Sequence, residues 1–325
     1  MILAGDVGGT KTHLALFEDN FPLKGIAEET FLSKNYSSLS EIVALFLKKI
    51  QKMPVLACFG VAGPVENGKC KATNLPWLIE VDQLREELKI NNVFLINDLE
   101  ATAWGLDCLE EKEFFTFQPN KEKRVANRAL IAAGTGLGEA GLFWDGKSYI
   151  PFPSEGGHVD FAPRSELEME LLRYLQKKYG HVSYERVISG PGIYDLYRFL
   201  IDMQLEKEPE WLHDRILRQD PPRVITESAL KKECRVCVRT VEWFVSLYGG
   251  EAGNLALKLF AESGVYIGGG IAPKILPFFK EGGFLKAFLA KGRFSALLAK
   301  IEIRIVLNEN TALLGAGRYV YDKRA

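Results

Sequence analysis

Apolar residues recur along this chain with two different spacings, and the two alternate. In the segment 12–17, Leu14 and Leu16 repeat with a period of two, which predicts a β-strand, whereas the segment 40–50 carries its apolar residues at helical spacing behind a serine-rich start. Further strands are predicted at 55–59, 93–96, 129–133, 140–143, 265–267 and 301–307, further helices at 81–88, 100–109, 165–179, 227–247, 251–262 and 311–322, and a polar surface excursion at 202–223. This alternation predicts a layered α/β fold built on open sheets.

The segment 4–10, Ala-Gly-Asp-Val-Gly-Gly-Thr, joins the first two predicted strands. Its glycines predict a turn with positive φ whose backbone N–H groups approach an anion such as phosphate. A Walker loop has glycine before its lysine and opens a helix, but Thr10 precedes Lys11 here and a strand follows. Asp6 at the tip would repel phosphates unless a cation lay between them, so the segment predicts Mg²⁺. A plain Gly-Gly hairpin with an aspartate in its turn is the alternative.

A second strand, glycine turn and strand occupies 129–143, with Gly-Thr-Gly-Leu-Gly at 134–138 as its turn. The charged, turn-rich stretch 119–127 between the two copies predicts a domain boundary. We therefore expect a two-lobed nucleotide-binding fold with a weak internal duplication. The predicted lobes are a small one, 1–108 plus 303–325, and a large one, 109–302.

The charge balance limits the classes of partner. The chain has 325 residues, with 41 Lys and Arg against 42 Asp and Glu and a formal net charge of −1. It therefore has no global basic field to attract nucleic acid or an anionic membrane, and we expect it to bind neither. The N-terminus has no basic leader, and no apolar run approaches the roughly 20 residues of a membrane span, which predicts a cytoplasmic protein.

The cysteines do not predict a metal site. Cys234 and Cys237 are the only close pair among five cysteines, and no second Cys or His pair lies nearby to complete a zinc site. Helical spacing and apolar neighbours predict two core thiols instead.

Asp98 follows the predicted strand 93–96, after Asn97. The carboxyl end of a strand is the usual ligand position in open α/β sheets, and a carboxylate held there can accept a proton from a hydroxyl group as a general base. Asn and Asp are also favoured helix N-caps, and a predicted helix follows directly. The residues alone leave both roles of Asp98 open.

Seven motifs follow one another in a specific order. They are GDVGGTKT at 5–12, ND at 97–98, GTGLG at 134–138, EGGHVDFAP at 155–163, ERVISGPG at 185–192, AGNLAL at 252–257 and GGGIAP at 268–273. This series resembles that of bacterial glucokinases of the non-ROK type, and EGGHVDFAP together with ND is its most specific part. The cysteine-rich zinc motif of ROK sugar kinases is absent. Lys11 stands where many members of the family have Asn.

The resemblance implies the actin-like ATPase superfold, a ribonuclease H-like α/β fold with two lobes of mixed sheets flanked by helices and with nucleotide and sugar in the cleft between the lobes. It implies a cytoplasmic, homodimeric hexose kinase that uses ATP and Mg²⁺ to convert glucose into glucose 6-phosphate, with Asp98 as the catalytic base and Asp6 organising the metal. The implied sugar ligands are Asn74, Asn97, Glu155, His158 and Glu185. The implied nucleotide-binding residues are Gly5, Asp6, Gly8, Gly9, Thr10, Gly134, Thr135, Gly136, Gly138, Gly268, Gly269 and Gly270.

Most of these residues have a structural alternative. The alternatives are a core histidine for His158, helix-end carboxylates for Glu155 and Glu185, an Asx turn before Pro76 for Asn74, and a strand-to-helix turn for Gly268, Gly269 and Gly270. Two other functions also remain open on the residues: a chaperone-like or regulatory ATPase of the same superfold without sugar chemistry, and a glycoside hydrolase with Glu155 and Asp160 as its carboxylates.

Overall fold

The chain divides into two compact units. The computed structural model describes residues 1–72, 75–119 and 124–324. The first unit comprises Met1–Glu113, Ile150–Pro153 and Asn308–Ala325, and the second comprises Phe114–Tyr149 and Ser154–Leu307. The sequence placed the return of the chain to the first unit at 303, but the strand Ile303–Val306 pairs within the sheet of the second unit. The return therefore begins after that strand, at Asn308.

The first unit is a sheet covered by helices on both faces. Its strands are β1 (Ile2–Val7), β2 (Lys11–Phe17), β3 (Gly25–Leu32), β4 (Leu56–Val61), β5 (Lys69–Lys71), β6 (Leu78–Glu80) and β7 (Asn92–Asn97), and its helices are α1 (Leu39–Ile50), α2 (Val81–Leu88), α3 (Asp98–Gly105) and α12 (Thr311–Asp322). Among the described residues the main sheet has five strands in the order β3-β2-β1-β4-β7, with β1, β4 and β7 parallel and the others antiparallel.

Side chains alternate across β1 and so divide the core of this unit into two layers. Leu3 and Val7 belong to the cluster that includes buried residues of α1 and α2. Ile2 and Ala4 belong to the cluster that includes buried residues of α3 and α12. The sheet is thus apolar on both faces, as expected where parallel strands are covered on both sides.

The second unit repeats this topology. Its strands are β8 (Phe114–Gln118), β9 (Arg128–Ala133), β10 (Leu137–Trp144), β12 (Gly264–Gly268) and β13 (Ile303–Val306), and its helices are α4 (Glu166–Tyr179), α5 (Gly190–Asp202), α6 (Glu210–Arg218), α7 (Pro221–Leu230), α8 (Arg235–Leu259), α9 (Leu276–Lys280), α10 (Gly283–Leu289) and α11 (Ser295–Leu298). The same sheet includes β11 (Tyr149–Ser154), of which Ile150–Pro153 are counted with the first unit. Within the described ranges the strand order is β11-β10-β9-β12-β13-β8. An antiparallel hairpin, β9 and β10, is followed by the parallel strands β12 and β13, as β1 and β2 are followed by β4 and β7.

Most predicted elements are present, and the largest differences from the prediction lie in the segment 202–262. The helices 81–88 and 311–322 have the predicted bounds. The helices predicted at 227–247 and 251–262 are instead α7 and one long helix α8, and the excursion 202–223 contains α6 and the beginning of α7. The strand β8 was not predicted. None of the helices that the structure describes is both long and apolar enough to cross a membrane.

Gly249 and Gly250 lie between the two predicted helices, 227–247 and 251–262. In the structure both lie in the middle of α8 and are buried. A Cβ at Gly249 would lie 2.2 Å from the backbone oxygen of Phe284 in α10. The glycines therefore allow two helices to approach closely. The cysteine prediction is confirmed, since Cys234 and Cys237 are free thiols in the core of this unit.

We expect Gly249→Ala to destabilise the protein. Alanine improves helix propensity by about 1 kcal/mol, but the contact with Phe284 is to backbone and cannot be relieved by a rotamer change, so overpacking should cost about 1–3 kcal/mol and exceed that gain. Gly283→Ala is the matched control, because a Cβ there meets nothing within 4 Å. Denaturant unfolding measures both variants, and a Gly249→Ala protein as stable as Gly283→Ala would contradict this reading of the packing.

Candidate functional site

The first glycine turn closes the hairpin of β1 and β2. Asp6 pairs with His13 in the antiparallel register, and the Gly8 N–H donates to the Lys11 carbonyl at 2.9 Å. The backbone does not have positive φ at Gly8 or Gly9, so that part of the prediction is wrong. A Cβ at position 8 would lie 3.1 Å from the Lys11 carbonyl oxygen, a tight contact that glycine avoids. Thr10 is exposed at the tip of the turn.

Gly5 lies inside β1 and not in the turn. A Cβ at this position would lie 2.5 Å from the Phe59 ring. Its lack of a side chain is therefore explained by packing between β1 and β4, and the sequence reading of Gly5 as a turn residue is corrected.

Two buried hydroxyl groups, those of Ser33 and Thr12, stabilise the turn, and the sequence pattern predicted neither of them. Ser33 Oγ donates to the Gly8 carbonyl at 2.8 Å and lies 3.0 Å from Thr12 Oγ1. The Ser33 N–H also donates to the Thr10 carbonyl at 3.0 Å. Buried hydroxyls of this kind hold a backbone segment in one conformation. No local pattern marks Ser33, because its partners lie more than 20 residues earlier in the chain.

The parallel register of β1, β4 and β7 brings the candidate carboxylates of this unit together. Asp6 is paired with Gly60, and Gly60 is paired with Ile96. A Cβ at Gly60 would lie 2.8 Å from the Ala101 Cβ and 3.7 Å from the Asp98 Cα. The beginning of α3 therefore packs directly onto β4, with Asp98 at the carboxyl edge of the sheet, as predicted for a ligand position.

The N-cap of α3 is Asn97, and Asp98 is the first residue of the helix. Asn97 Oδ1 accepts from the N–H groups of Leu99 at 2.9 Å and Glu100 at 3.4 Å, and Asn97 Nδ2 donates to the Gly63 carbonyl at 3.1 Å. Asp98 Oδ1 also accepts from the Leu99 N–H, at 2.9 Å. The capping role considered for Asp98 thus falls mainly to Asn97, and the cap holds Asp98 at the strand end.

Asp6 and Asp98 interact electrostatically. Burial, and then the negative charge of Asp98, raise the pKa of Asp6 to about 6. Two carboxylates in this position favour a bound cation, and their oxygen donors suit Mg²⁺, which takes one or two protein carboxylates together with waters and substrate phosphates. Among the described residues no three Asp, Glu, His or Cys side chains form a closed metal site. The carboxylates of Asp6 and Asp98 therefore fit a metal that would take its other ligands from oxygen donors outside this pair.

The second glycine turn lies at the end of β9 in the second unit. The Gly134 N–H donates to the Gly136 carbonyl at 2.8 Å, Thr135 is exposed, and Gly138 is already in β10. Gly269 has a φ of +79°, and a Cβ there would lie 2.2 Å from the Ala133 oxygen. The segment 268–270 therefore packs beside the second turn. The two predicted nucleotide-binding segments of this unit are neighbours.

Glu185 binds the backbone immediately after the second turn. Its Oε2 accepts from the Leu137 N–H at 3.0 Å, and a Cβ at Gly136 would lie 2.4 Å from that oxygen. From the other side, a Cβ at Gly157 would lie 2.0 Å from the Leu137 carbonyl oxygen. The segments that carry Glu185 and His158 are therefore both held against Leu137.

The side chains of Glu155 and His158 are open to solvent. They are 79% and 59% exposed, and 3.9 Å separates Glu155 Oε2 from His158 Nε2. His158 is therefore not a core histidine, and Glu155 makes no side-chain capping bond to the 3₁₀ turn Gly156–His158. Both side chains are available to a ligand. Asn74, the remaining predicted sugar ligand, lies outside the described residues.

The chain was compared with known proteins and protein families. The family model described as glucokinase matches residues 3–323. The chain is similar to the glucokinase of a Nostoc species, with 44% identity over 333 residues that cover 97% of each chain. It is also similar to the crystal structure of a glucokinase from an Antarctic psychrotroph, with a TM-score of 0.86, 31% identity and 99% and 98% coverage of the two chains.

The chain belongs to the glucokinase family. A ROK family glucokinase from Streptomyces griseus, solved in complex with glucose and AMPPNP, shares the fold at a TM-score of 0.66, with 17% identity and 99% of each chain covered. The predicted actin-like α/β fold with mixed sheets is confirmed by these glucokinase neighbours. The glycoside hydrolase alternative receives no support from the family.

We expect Asp6→Asn to stabilise this member of the glucokinase family at neutral pH when metal is absent. The pKa of Asp6 in the folded protein, about 6, lies above the ordinary aspartate pKa of 3.8. The stabilisation from the neutral form is therefore complete below pH 4 and is lost as the pH rises to about 6, so ionised Asp6 should cost up to about 3 kcal/mol at pH 8.

Denaturant unfolding in the presence of a chelator measures this difference. The gain in the free energy of unfolding of Asp6→Asn over the unchanged protein should be near zero at about pH 4 and largest near pH 8. A gain that does not change with pH would contradict the assigned cause.

Proposed function

We propose that this chain transfers the γ-phosphoryl group of ATP to the 6-hydroxyl group of glucose, giving glucose 6-phosphate and ADP. As a member of the glucokinase family the chain is an ATP-dependent hexose kinase. The observation that carries the specific proposal is the position of Asp98, held beside Asp6 at the carboxyl edge of parallel strands by the capped beginning of α3.

Asp98 is proposed as the general base. Its carboxylate accepts the proton of the glucose 6-hydroxyl as the oxygen forms a bond to the γ-phosphorus, while the bond from that phosphorus to the bridging oxygen of ADP breaks. Phosphoryl transfer requires little covalent participation by a protein, so positioning and fixed charge supply most of the catalysis. The Asn97 cap and the contact of α3 with Gly60 provide that positioning.

Asp6 is proposed to hold Mg²⁺, through water or directly, with Asp98 nearby. A bound Mg²⁺ would neutralise charge on the β- and γ-phosphates. Asp6 is held for this role by the β1–β2 hairpin and its register with Gly60. The exposed hydroxyls of Thr10 and Thr135 are proposed to bind the phosphates, with Gly8, Gly9, Gly134, Gly136 and Gly138 allowing the backbone to approach them, and Gly268, Gly269 and Gly270 to lie against the adenosine.

Glu155, His158, Glu185 and Asn97 are proposed as ligands of the sugar hydroxyls, together with Asn74. Adjacent hydroxyls both donate and accept, which suits carboxylates combined with an imidazole and an amide. The Leu137 N–H fixes the orientation of the Glu185 carboxylate. Asn97 Nδ2 uses one of its two N–H groups on Gly63, so it can offer the other.

We also propose that the protein acts in the cytoplasm as a homodimer and binds neither nucleic acid nor membranes. The family resemblance supports the dimer, and the net charge of −1 supports the absence of polyanionic partners. Sedimentation velocity measures the oligomeric state directly.

We predict ADP production that depends on a hexose, with glucose as a good substrate. The protein is incubated with Mg²⁺ and ATP, and ADP is measured with and without each member of a hexose panel. Glucose should raise ADP production strongly, and omission of Mg²⁺ should abolish it, because the phosphate charge then has no counterion. ADP production that no hexose changes would instead support the chaperone-like or regulatory ATPase.

Asp98→Asn should lower kcat by about 10²–10⁴-fold, equivalent to about 3–5 kcal/mol of barrier, because the amide cannot accept the proton. Glucose affinity should change much less, since the amide oxygen still accepts a hydrogen bond. Thermal stability should stay close to that of the unchanged protein, because the cap on Asn97 is intact.

Glu100→Gln is the matched control for Asp98→Asn. It removes a carboxylate from the same first turn of α3, and Glu100 is not part of the proposed site. Its kcat should stay within about twofold of the unchanged enzyme. An Asp98→Asn enzyme that keeps more than about a tenth of the original kcat would remove Asp98 from the mechanism.

A further inference from the structure

Two buried glutamates of the second unit have no role in the proposed reaction. Glu139 in β10 is 1% exposed, and Glu251 in the middle of α8 is 0% exposed. The carboxyl group of Glu139 interacts electrostatically with that of Glu251. An ionised carboxylate only accepts hydrogen bonds, so two carboxyl groups can bond to each other only if one of them carries a proton. The burial of both groups therefore favours a state in which one of them is protonated.

The partners of the two groups show which one carries the proton. Glu251 Oε1 accepts from Lys258 Nζ at 3.1 Å, and Glu251 Oε2 accepts from Asn254 Nδ2 at 2.7 Å, as suits an ionised carboxylate. In the part of the chain that is described, Glu139 Oε1 has no hydrogen-bond partner. A buried carboxylate oxygen without a donor is costly, so the neutral form is favoured at Glu139. Burial, and then the charge of Glu251, raise the pKa of Glu139 to about 8.

Other titratable groups surround the pair. They are Tyr248 and Lys258 in α8, Tyr184 in the turn 184–186, Lys291 after α10, and the ion pair of Arg164 with Glu168 at the beginning of α4. Burial raises the pKa of the Tyr248 and Tyr184 hydroxyls and lowers that of Lys291. Lys291 donates to the Gly250 carbonyl at 2.9 Å and to Asn254 Oδ1. Lys258 is the cation directly bonded to Glu251.

The pair contacts both segments that carry proposed sugar ligands. A Cβ at Gly156 would lie 2.0 Å from Glu139 Oε2, so the carboxyl group packs against the backbone between Glu155 and His158. On the other side, Asn254 Nδ2 donates both to Glu251 and to the Tyr184 hydroxyl, the latter at 2.9 Å, and Tyr184 precedes Glu185. The two glutamates therefore connect the segment 155–158 to the segment 184–185 through packing and hydrogen bonds.

We propose that Glu139 and Glu251 share one proton and act as positioning residues that hold the segments 155–158 and 184–185 in the geometry that binds glucose. This inference rests on the proposed function. As the pH rises, Glu139 loses its proton, the pair carries two like charges, and the two segments are no longer held together. The stabilisation of the folded protein by neutral Glu139 is complete below the pKa of a glutamate in the unfolded chain, about 4.3. It is lost as the pH rises through the pKa of Glu139 in the folded protein.

The test is calorimetric titration of the protein with glucose, without ATP, at about pH 7 and about pH 9.5. The glucose dissociation constant of the unchanged protein should rise by about threefold or more between these values, with tenfold per pH unit as the limit for one coupled proton. In Glu139→Gln this rise should disappear, because the amide donates to Glu251 and does not titrate. Any pH dependence that remains in the variant belongs to other groups, such as Lys291.

Two further variants separate positioning from general stability. Glu139→Ala should weaken glucose binding at both pH values more than ATP binding, and Glu139→Gln should recover most of that loss. Asp195→Asn is the matched control, because Asp195 is another buried carboxylate of this unit, but it is paired with Lys178 and Tyr179. Asp195→Asn should leave the pH dependence of glucose affinity as it is in the unchanged protein.

Two outcomes overturn the proposal. One is a Glu139→Gln protein whose glucose affinity changes with pH as it does in the unchanged protein. The other is measured on the unchanged protein and applies if that variant does not fold. The infrared spectrum at about pH 7.5 should show the carbonyl band of a protonated carboxylic acid, and this band should be lost by about pH 9.5. A spectrum without such a band overturns the proposal. Failure to bind glucose at any pH overturns the proposed function and the positioning role together, whereas the infrared band still reports whether the proton is shared.

Discussion

The parallel alignment of β1, β4 and β7 is the constraint on which the first unit depends. The register places Asp6, Gly60 and Ile96 side by side, so a helix that begins just after β7 must lie over β4. Gly60 has no side chain in the way, and Ala101 of that helix packs against it. A larger residue at position 60 would displace the beginning of α3 and move Asp98 away from Asp6. The role proposed for Asp98 thus depends on a residue that has no functional group.

The second unit uses the same hairpin topology for a different purpose. In the first unit the hairpin presents its own carboxylate, Asp6, whereas in the second the strand after the turn presents backbone groups to other segments. The N–H of Leu137 holds Glu185, and the carbonyl of Leu137 lies against Gly157. The two copies therefore share a strand order but place different residues at their turns.

Each unit buries a carboxyl group beside a second carboxyl group, at a cost in stability. Asp6 is a carboxylate held near another carboxylate, and Glu139 is buried beside Glu251, and in both cases burial raises the pKa. A more stable protein would avoid both arrangements. Functional sites commonly retain such groups at a cost in stability, which the surrounding core offsets. Here the cores on both faces of the first sheet and the large apolar cluster of the second unit provide that stability.

The sequence by itself determined the alternation of strands and helices, both glycine turns, and the order of motifs that identifies the family, because these depend on local spacing and residue type. Helices such as α2 and α12 followed from apolar periodicity alone. Only the tertiary structure decided that Gly249 continues a helix, that Asn97 and not Asp98 is the cap, and that Gly5 is a packing residue. It also decided that Ser33 bonds to the first glycine turn and that Glu139 packs against Gly156. Each of these depends on a partner distant in the chain, and the local sequence pattern does not indicate which residues a side chain contacts after folding.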